Sequence, residues 1–135
     1  MQSASFRAET ESVQKIQDFV KTGLADKDKV SSKVQMHADL AIEELVVNIV
    51  RHGFKDQTKG AIYVETRSDG SRLHIRISDN GIPFNPLERK PPDIEADITE
   101  REPGGLGIFM VKQVAEQIDY NRKEGRNTLG LVIKL

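Results

Sequence analysis

The sequence predicts an α+β fold, a two-layer α/β sandwich with three helices on one face of a mixed, mainly antiparallel sheet. Three observations predict it. Two segments with apolar residues at helical spacing open the chain, a pair of alternating segments joined by a short turn follows, and a third helical segment precedes a second such pair. Helices and hairpins segregated along the chain in this way are typical of helices packed on one side of a sheet.

The first two helices are predicted from apolar residues that recur every three or four positions. The first runs from Ser12 to about Lys21 and stops at Gly23. The second runs from a cap at Ser31 to Gly53 and has the most regular stripe in the chain. That stripe consists of Val34, Ala38, Ala41, Leu45 and Ile49.

Two hairpins are predicted from alternating apolar residues on either side of turn residues. The first joins strands at 61–66 and 73–77 through a turn at 68–71, and the second turns at 124–125. The strands of the second hairpin are expected at 118–120 and 128–135. In the first hairpin we expect one inward-facing set, made of Ile62, Val64, Leu73, Ile75 and Ile77.

A segment rich in proline separates the first hairpin from the third helix. All five prolines of the chain lie between residues 83 and 103, together with six acidic residues from Glu88 to Glu102. This density of proline is incompatible with a regular core helix or strand. A long irregular segment inside a compact domain is often a functional lid, and we interpret 82–103 as one. The third helix is expected to begin after it and to run from Ile108 to about Ile118.

Length and composition favour one cytoplasmic domain spanning residues 1–135. The formal net charge is -1, so no bulk field favours direct contact with nucleic acid or an anionic membrane. The chain has no cysteine, which excludes disulfides, thiolate metal sites and cysteine nucleophiles. No apolar run approaches the length that spans a bilayer, and the N-terminus has no secretory signal pattern.

Glu44 and Asn48 form the first candidate pair. They are four residues apart in the second predicted helix, so both side chains project from one face. The Asn oxygen is a suitable ligand for Mg²⁺, and the Glu carboxylate can take a proton from an attacking hydroxyl or water. Such a pair is common on solvated helix faces, so its spacing alone leaves both a functional and a structural interpretation open.

The second candidate is the tripeptide Asp79-Asn80-Gly81, which follows the first hairpin. These residues usually form a turn. Here the chain enters the proline-rich segment instead of returning as a strand, which leaves Asp79 at the edge of the sheet. Its carboxylate can accept a hydrogen bond from an exocyclic amine such as that of adenine, and Gly81 lets backbone approach a flat ligand.

The third candidate is Gly104-Gly105-Leu106-Gly107, directly before the third helix. Glycines there let the backbone come close to a ligand, and the unpaired N–H groups and dipole of the helix favour an anion. The segment is therefore a candidate phosphate cradle, although it is also compatible with a hinge for the lid. It lacks the Gly-Lys-Ser/Thr of a P-loop, and no parallel strand leads into it.

Together, these segments resemble the histidine-kinase-like ATPase superfamily, which has the Bergerat ATP-binding fold. Within it they are similar to the small anti-sigma-factor serine/threonine kinases of bacterial sporulation and stress-response switches. The resemblance rests on residues 41–53, 79–81 and 104–111, in the order and at about the spacing of the family, and it covers nearly the whole chain.

The resemblance implies roles for the candidate residues. Asn48 would coordinate Mg²⁺ bridging the phosphates of ATP, and Glu44 would be the general base toward a serine or threonine hydroxyl. Asp79 would bind the adenine amino group, with Gly81 beside it. Thr128 matches a threonine that helps to hold adenine.

The same resemblance assigns the phosphates of ATP to the glycine-rich segment. Gly104, Gly105, Leu106 and Gly107 would wrap them as the lid closes. Relatives commonly have an arginine beside this segment, where this chain has Pro103, and the nearest arginine is Arg101. In two further departures, Pro83 stands where relatives often have a second glycine, and Lys15 replaces an arginine that some relatives project across a dimer interface.

The resemblance also implies partners: an anti-sigma-factor antagonist as substrate, a sigma factor as a second partner, and a homodimer. A nucleotide-responsive regulator with little or no kinase activity remains an alternative. A detached catalytic domain of a two-component histidine kinase is disfavoured, because no helical segment presents a phosphoacceptor histidine. His37 and His52 lie on the second helix and His74 on a strand, where packing or capping is their expected role.

Overall fold

The computed structural model describes residues 1–24, 30–54, 60–88 and 105–135. Three α-helices and five β-strands make up these regions. The helices are α1 (Ser12–Thr22), α2 (Ser32–Asn48) and α3 (Gly105–Val114). The strands are β1 (Gln2–Arg7), β2 (Ala61–Ser68), β3 (Arg72–Asp79), β4 (Gln117–Lys123) and β5 (Arg126–Lys134).

The five strands form one sheet in the order β1-β2-β3-β5-β4. Every pairing among the described strands is antiparallel, so the parallel component expected in a mixed sheet is not found in this part of the chain. The sequence pattern also does not predict β1. Only Ala4 and Phe6 of that edge strand are partly buried, which is too short an alternation to predict a strand.

The hydrophobic core lies between the sheet and the helices. The five residues predicted to face inward from the first hairpin are all buried, as are the alternate β5 residues Leu129, Leu131 and Ile133. Ile16 and Val20 of α1 complete the core, together with the buried stripes of α2 and α3. Those stripes are Ala38, Ala41, Ile42, Leu45, Val46, Ile108 and Val111. The predicted two-layer sandwich is confirmed.

Helix α2 begins and ends as the sequence predicts, with one change of winding. The Ser31 hydroxyl accepts a hydrogen bond from the Val34 N–H at 3.2 Å, which caps the first turn. After Asn48 the chain continues for five residues as one π-helical turn, Ile49–Gly53. This wider turn brings Gly53 close to the end of β3, where the candidate site begins.

The predicted turns are confirmed. Asp69 Oδ1 accepts from the N–H groups of Ser71 and Arg72, and these hydrogen bonds lower the pKa of this exposed carboxyl to about 2. Glu124 and Gly125 both have positive φ angles, of 53° and 78°, as a two-residue hairpin turn requires.

The third helix is shorter than its apolar pattern predicts. It ends at Val114, and Ile118 belongs to β4. None of the helices in the described part of the chain is long and apolar enough to cross a membrane.

Candidate functional site

The candidate site is a pocket at the end of β3, between the sheet and α2. Leu45, Ile77 and Leu129 form its apolar wall, while Asn48 and Asp79 present polar groups. The pocket thus brings together two residues that lie 31 positions apart and that the sequence analysis singled out separately. An apolar pocket with a few convergent polar groups is typical of a small-molecule site.

Asp79 is the last residue of β3 and is only 3% exposed. Its Oδ1 accepts two hydrogen bonds, from the Gly81 N–H at 2.9 Å and from the Asn127 amide at 3.0 Å. No group in the described regions donates a hydrogen bond to Oδ2. The second oxygen is therefore the atom that can accept from a ligand in the pocket.

The pKa of Asp79 is raised, and burial is the main cause. The hydrogen bonds from Asn127 and Gly81 act in the opposite direction, as does the positive charge of Arg122. Burial therefore destabilises the ionised form of this carboxyl, and three neighbouring groups stabilise it. In that form the side chain accepts hydrogen bonds and donates none.

Asn127 is a site residue that was not predicted from the sequence motifs. It pairs with Asp79 in the β3–β5 register, points to the same side of the sheet and is 5% exposed. Its amide nitrogen donates to Asp79 Oδ1 and to the Ile82 carbonyl at 2.8 Å. The sequence does contain a signal for it, because the alternation of Leu129 and Leu131 in β5 also places residue 127 on the inward face. A polar residue at an inward position needs a hydrogen-bond partner.

Thr128, which the resemblance placed at adenine, does not reach the pocket. It follows Asn127 in β5, so its side chain points to the opposite face of the sheet. There its hydroxyl lies 3.0 Å from that of Ser78, with which it shares a hydrogen bond. The assignment of Thr128 is corrected on this geometry, and Asn127 occupies the position beside Asp79.

Gly81 lies against the end of the π-helical turn. A Cβ atom on Gly81 would be 2.6 Å from the Gly53 carbonyl oxygen and 3.0 Å from Asp79 Oδ1. The Ile82 N–H donates to the same Gly53 carbonyl at 3.2 Å. Glycine is thus needed for a close approach of two backbone segments, which fixes the loop carrying Asp79 against the end of α2.

Asn48 is 2% exposed and lines the pocket from α2. Its amide nitrogen donates to the Glu44 carbonyl oxygen at 2.6 Å. Of the two amide atoms, only the oxygen is of the kind that ligates a cation. The described residues contain no group of three His, Cys, Asp or Glu side chains arranged to hold a metal ion. A Mg²⁺ ion at Asn48 would therefore depend on phosphate oxygens and water for its other ligands, which is its usual preference.

Glu44 lies one turn before Asn48 and is half-buried. Its side chain packs against Gly107 of α3, where an added Cβ atom would overlap the carboxyl group. Burial raises the pKa of Glu44, the charge of Glu43 raises it further, and Arg51 opposes both. Two separately predicted segments, the α2 pair and the glycine-rich segment, thus meet at this contact.

The glycine-rich segment and the lid are described in part. Gly105 opens α3 and Gly107 is buried in it, whereas Arg101, Pro103 and Gly104 lie outside the described residues. So do the side chain of Leu106 and lid residues 89–103.

Residues 82–88, the described beginning of the segment predicted to be a lid, cover the pocket. Phe84 stacks on His52 with ring centroids 4.3 Å apart, Pro86 is buried, and Lys112 of α3 donates to the Leu87 carbonyl at 2.9 Å. The space left for the centres of water molecules is about 20 Å³, enough for about one water. The polar groups suit a purine nucleotide, but a purine ring requires Phe84 and Pro86 to move outward.

The chain matches the family described as Histidine kinase-like ATPase domain over residues 6–133. Serine/threonine-protein kinase BtrW of Bordetella bronchiseptica is 27% identical over 108 residues, covering 80% of this chain and 76% of the relative. Serine-protein kinase RsbW of Listeria monocytogenes is 31% identical over 108 residues, covering 77% of this chain and 69% of the relative.

Two solved structures share the fold. One is the histidine kinase domain of the blue-light activated histidine kinase of Erythrobacter litoralis, with a TM-score of 0.61 at 16% identity. That match covers 93% of this chain and 60% of the other. The catalytic domain of histidine kinase ThkA matches with a TM-score of 0.55 at 12% identity, covering 99% and 97%. With a family match from residue 6 to residue 133, the chain belongs to the histidine kinase-like ATPase domain family.

Proposed function

We propose that this chain is an ATP-dependent protein serine/threonine kinase that phosphorylates a small anti-sigma-factor antagonist and sequesters a regulatory partner. One observation carries the proposal. A single pocket has Asn48 and Asp79 on its walls, and Glu44, one turn before Asn48, packs against Gly107 at the start of α3. Residues suited to bind a metal and to act as a base therefore lie one helical turn apart, and the second of them contacts the start of α3. The names of BtrW and RsbW, both protein kinases, support the same activity.

In this proposal the chain binds the two ends of ATP through different groups. Asp79 Oδ2 accepts from the exocyclic amino group of adenine, and the N-terminal N–H groups of α3 face the phosphates. Asn48 Oδ1 holds Mg²⁺. Bound ATP supplies the transferable phosphoryl group, and Mg²⁺ offsets the charge on the phosphate oxygens.

Glu44 supplies the proton acceptor. Its carboxylate takes the proton of the target hydroxyl while that oxygen forms its bond to the terminal phosphorus of ATP. The bond from this phosphorus to the bridging oxygen breaks, and ADP leaves with that oxygen. The raised pKa of Glu44 makes it a better proton acceptor than an exposed glutamate, since basicity increases with pKa. The rate of transfer should therefore increase with pH as Glu44 loses its proton, with a midpoint above the ordinary value of 4.5.

The remaining partners follow from the resemblance. We propose a sigma factor as the sequestered protein, a homodimer as the assembly and the cytoplasm as the location. Two-fold dimers are the commonest assembly of soluble proteins, which is compatible with this proposal.

To test this proposal, the chain is incubated with Mg-ATP labelled at the terminal phosphate and with candidate antagonist proteins encoded near its gene. The transfer of label to each candidate is measured. We expect one candidate to be labelled by the wild type and Glu44→Gln to label it about 10²–10⁴ times more slowly, the usual contribution of a general base. ATP affinity of the two proteins should be the same within about twofold, because Glu44 is not assigned to nucleotide binding.

The outcomes distinguish two functions. Labelling by the wild type at a rate that Glu44→Gln does not change would remove Glu44 from the proposal. ATP binding without labelling of any candidate would favour a nucleotide-responsive regulator without transfer activity. No ATP binding in the presence of Mg²⁺ would overturn both.

A further inference from the structure

Asn127 uses the whole hydrogen-bonding capacity of its carboxamide. The nitrogen donates to Asp79 Oδ1 and to the Ile82 carbonyl, and the oxygen accepts from the Phe84 N–H at 3.3 Å and from the Tyr120 hydroxyl. Two donors and two acceptor sites are all that the group has. Since it is buried, losing any of these partners leaves a polar atom without compensation.

The first consequence concerns Asp79. With the Gly81 N–H and the Asn127 amide both on Oδ1, that oxygen is committed to the protein. Both bonds also favour the ionised carboxylate. Asp79 therefore presents Oδ2 to the pocket, with the orientation of its carboxyl group fixed by the two bonds on Oδ1.

The second consequence concerns the wall of the pocket. Ile82 and Phe84 are the first residues after the Asp79 loop, and both are bonded to Asn127 through their backbone. Phe84 stacks on His52, so its ring is part of the surface that encloses the pocket. One side chain thus holds both the carboxylate and the adjacent wall.

We propose that Asn127 is a positioning residue that determines base selectivity. It keeps Asp79 as a pure acceptor toward a base with an exocyclic amino group, and it keeps residues 82–84 in register with that carboxylate. The proposal rests on the proposed nucleotide binding. Asn127 acts through Asp79 and through the pocket wall, and it need not touch the base itself.

The ionisable groups around Asp79 determine how the proposal can be tested by pH. Arg122 of β4 donates to the Gly81 carbonyl at 2.8 Å and favours the ionised Asp79. Tyr120, also on β4, bonds to Asn127, and His52, within the π-helical turn, stacks on Phe84. A new carboxyl at position 127 would face Asp79 among these groups, and two adjacent carboxylates share a proton.

The test compares two isosteric variants, Asn127→Asp and Asn127→Leu. Affinities for ATP and for inosine triphosphate, which has a keto group in place of the adenine amino group, are measured by calorimetry from pH 5.5 to 8.5. The wild type should prefer ATP. In Asn127→Leu we expect the preference to fall about tenfold at every pH, because the Asp79 carboxylate loses a bond that orients it.

Asn127→Asp should lose the preference at high pH and regain it as the pH falls. At high pH both carboxylates are ionised and repel. At lower pH a shared proton lets residue 127 donate to Asp79 again, as the amide does. A purely structural role would weaken binding equally at all pH values. An unchanged preference in Asn127→Leu, or a pH-independent loss in Asn127→Asp, would overturn the proposal.

A second measurement needs no nucleotide. In the nucleotide-free protein the Phe84 amide should exchange its hydrogen at least severalfold faster in Asn127→Leu than in wild type. Asn121→Ala, at an exposed position of β4 outside the pocket, should retain the base preference, so its loss there would also count against the proposal. If the wild type binds neither nucleotide, the proposed function fails. If it binds ATP selectively and Asn127→Leu does so equally, only this inference fails.

Discussion

The two ends of the candidate site, which we propose bind the base and the phosphates of ATP, are built differently. At the base end, Asp79 and Asn127 are almost completely buried, and their hydrogen bonds join β3, β5 and residues 81–84. At the phosphate end, Glu44 is half-buried, and its contact with α3 is a close packing of its side chain on Gly107.

This difference predicts that base selectivity and phosphoryl transfer are separable properties. Strand register fixes the base end, and a buried network of satisfied hydrogen bonds holds its groups in one arrangement. The relative position of two helices fixes the phosphate end, where a small shift of α3 changes where the Glu44 carboxylate can lie. Variants at one end should leave the property of the other end largely unchanged.

Gly107→Ala should have the largest effect. The new methyl group overlaps the Glu44 carboxyl, so the side chain must leave its present position. A displacement of about 1 Å in a catalytic group can cost about 10²-fold in rate, and we expect a loss of that size in transfer to the protein substrate. The preference for ATP over inosine triphosphate should not change.

The matched control is Gln113→Ala, which alters an exposed residue of the same helix. It should leave transfer within about twofold of wild type, as is usual for surface substitutions. A loss of base preference in Gly107→Ala would contradict the separation of the two ends.

Asp79→Asn should weaken ATP binding about 10-fold to 100-fold, the range expected for a hydrogen bond to a charged group. It should also stabilise the nucleotide-free protein. Burial raises the pKa of Asp79, so the folded state binds a proton more tightly than the unfolded state, and stability is lost as pH increases from about 3.8 through the raised pKa.

An asparagine removes this ionisation cost while retaining an oxygen for Gly81 and Asn127. At pH 7 the free energy of unfolding should increase by on the order of 1 kcal/mol, a common size for one substitution, as measured by urea unfolding. At pH 3 the wild type and the variant should converge. If the variant is less stable than wild type at neutral pH, the interactions of the ionised carboxylate stabilise the fold by more than its burial destabilises it.

Sequence periodicity predicted the elements that build the base end, apart from β1. The alternation in 61–66 and 73–77 identified the hairpin that ends at Asp79, and the second hairpin was placed with its turn at 124–125. Strand β1 escaped prediction because only two of its residues are even partly buried. The winding of Ile49–Gly53 as a π turn has no counterpart in the apolar stripe, whose last member is Ile49.

Local motifs pointed to single residues, whereas the choice between neighbouring residues of a strand depends on the register of that strand. Asn48 and Asp79, which separate motifs single out, line one pocket, and Glu44 lies one turn before Asn48 on α2. The choice between positions 127 and 128 depends on which face of β5 meets the helices. The resemblance pointed to a threonine, whereas the inward alternation of Leu129 and Leu131 selects Asn127.

A smaller effect is expected from Lys112→Met. Lys112 connects the two ends of the site, because it lies on α3 and bonds to the segment that covers the pocket. Its ammonium group donates to the Leu87 carbonyl and so helps to keep residues 82–88 over the pocket. Removing this bond should favour the open pocket and raise ATP affinity about twofold to fivefold, since apparent affinity scales with the population of the binding-competent state. Calorimetric titration measures it, with exposed Lys134→Met as control. Weaker binding would show that Lys112 contacts the nucleotide instead.

We expect the smallest effect at Thr128, the residue that follows Asn127 in β5. Thr128→Val keeps the shape of the side chain and removes the hydroxyl that bonds to Ser78 on the open face of the sheet. Since this face is separated from the pocket by the sheet itself, ATP affinity and base preference should stay within about twofold of wild type. A loss comparable to that of Asn127→Leu would mean that β5 shifts its register when nucleotide binds, because only then would residue 128 face the base.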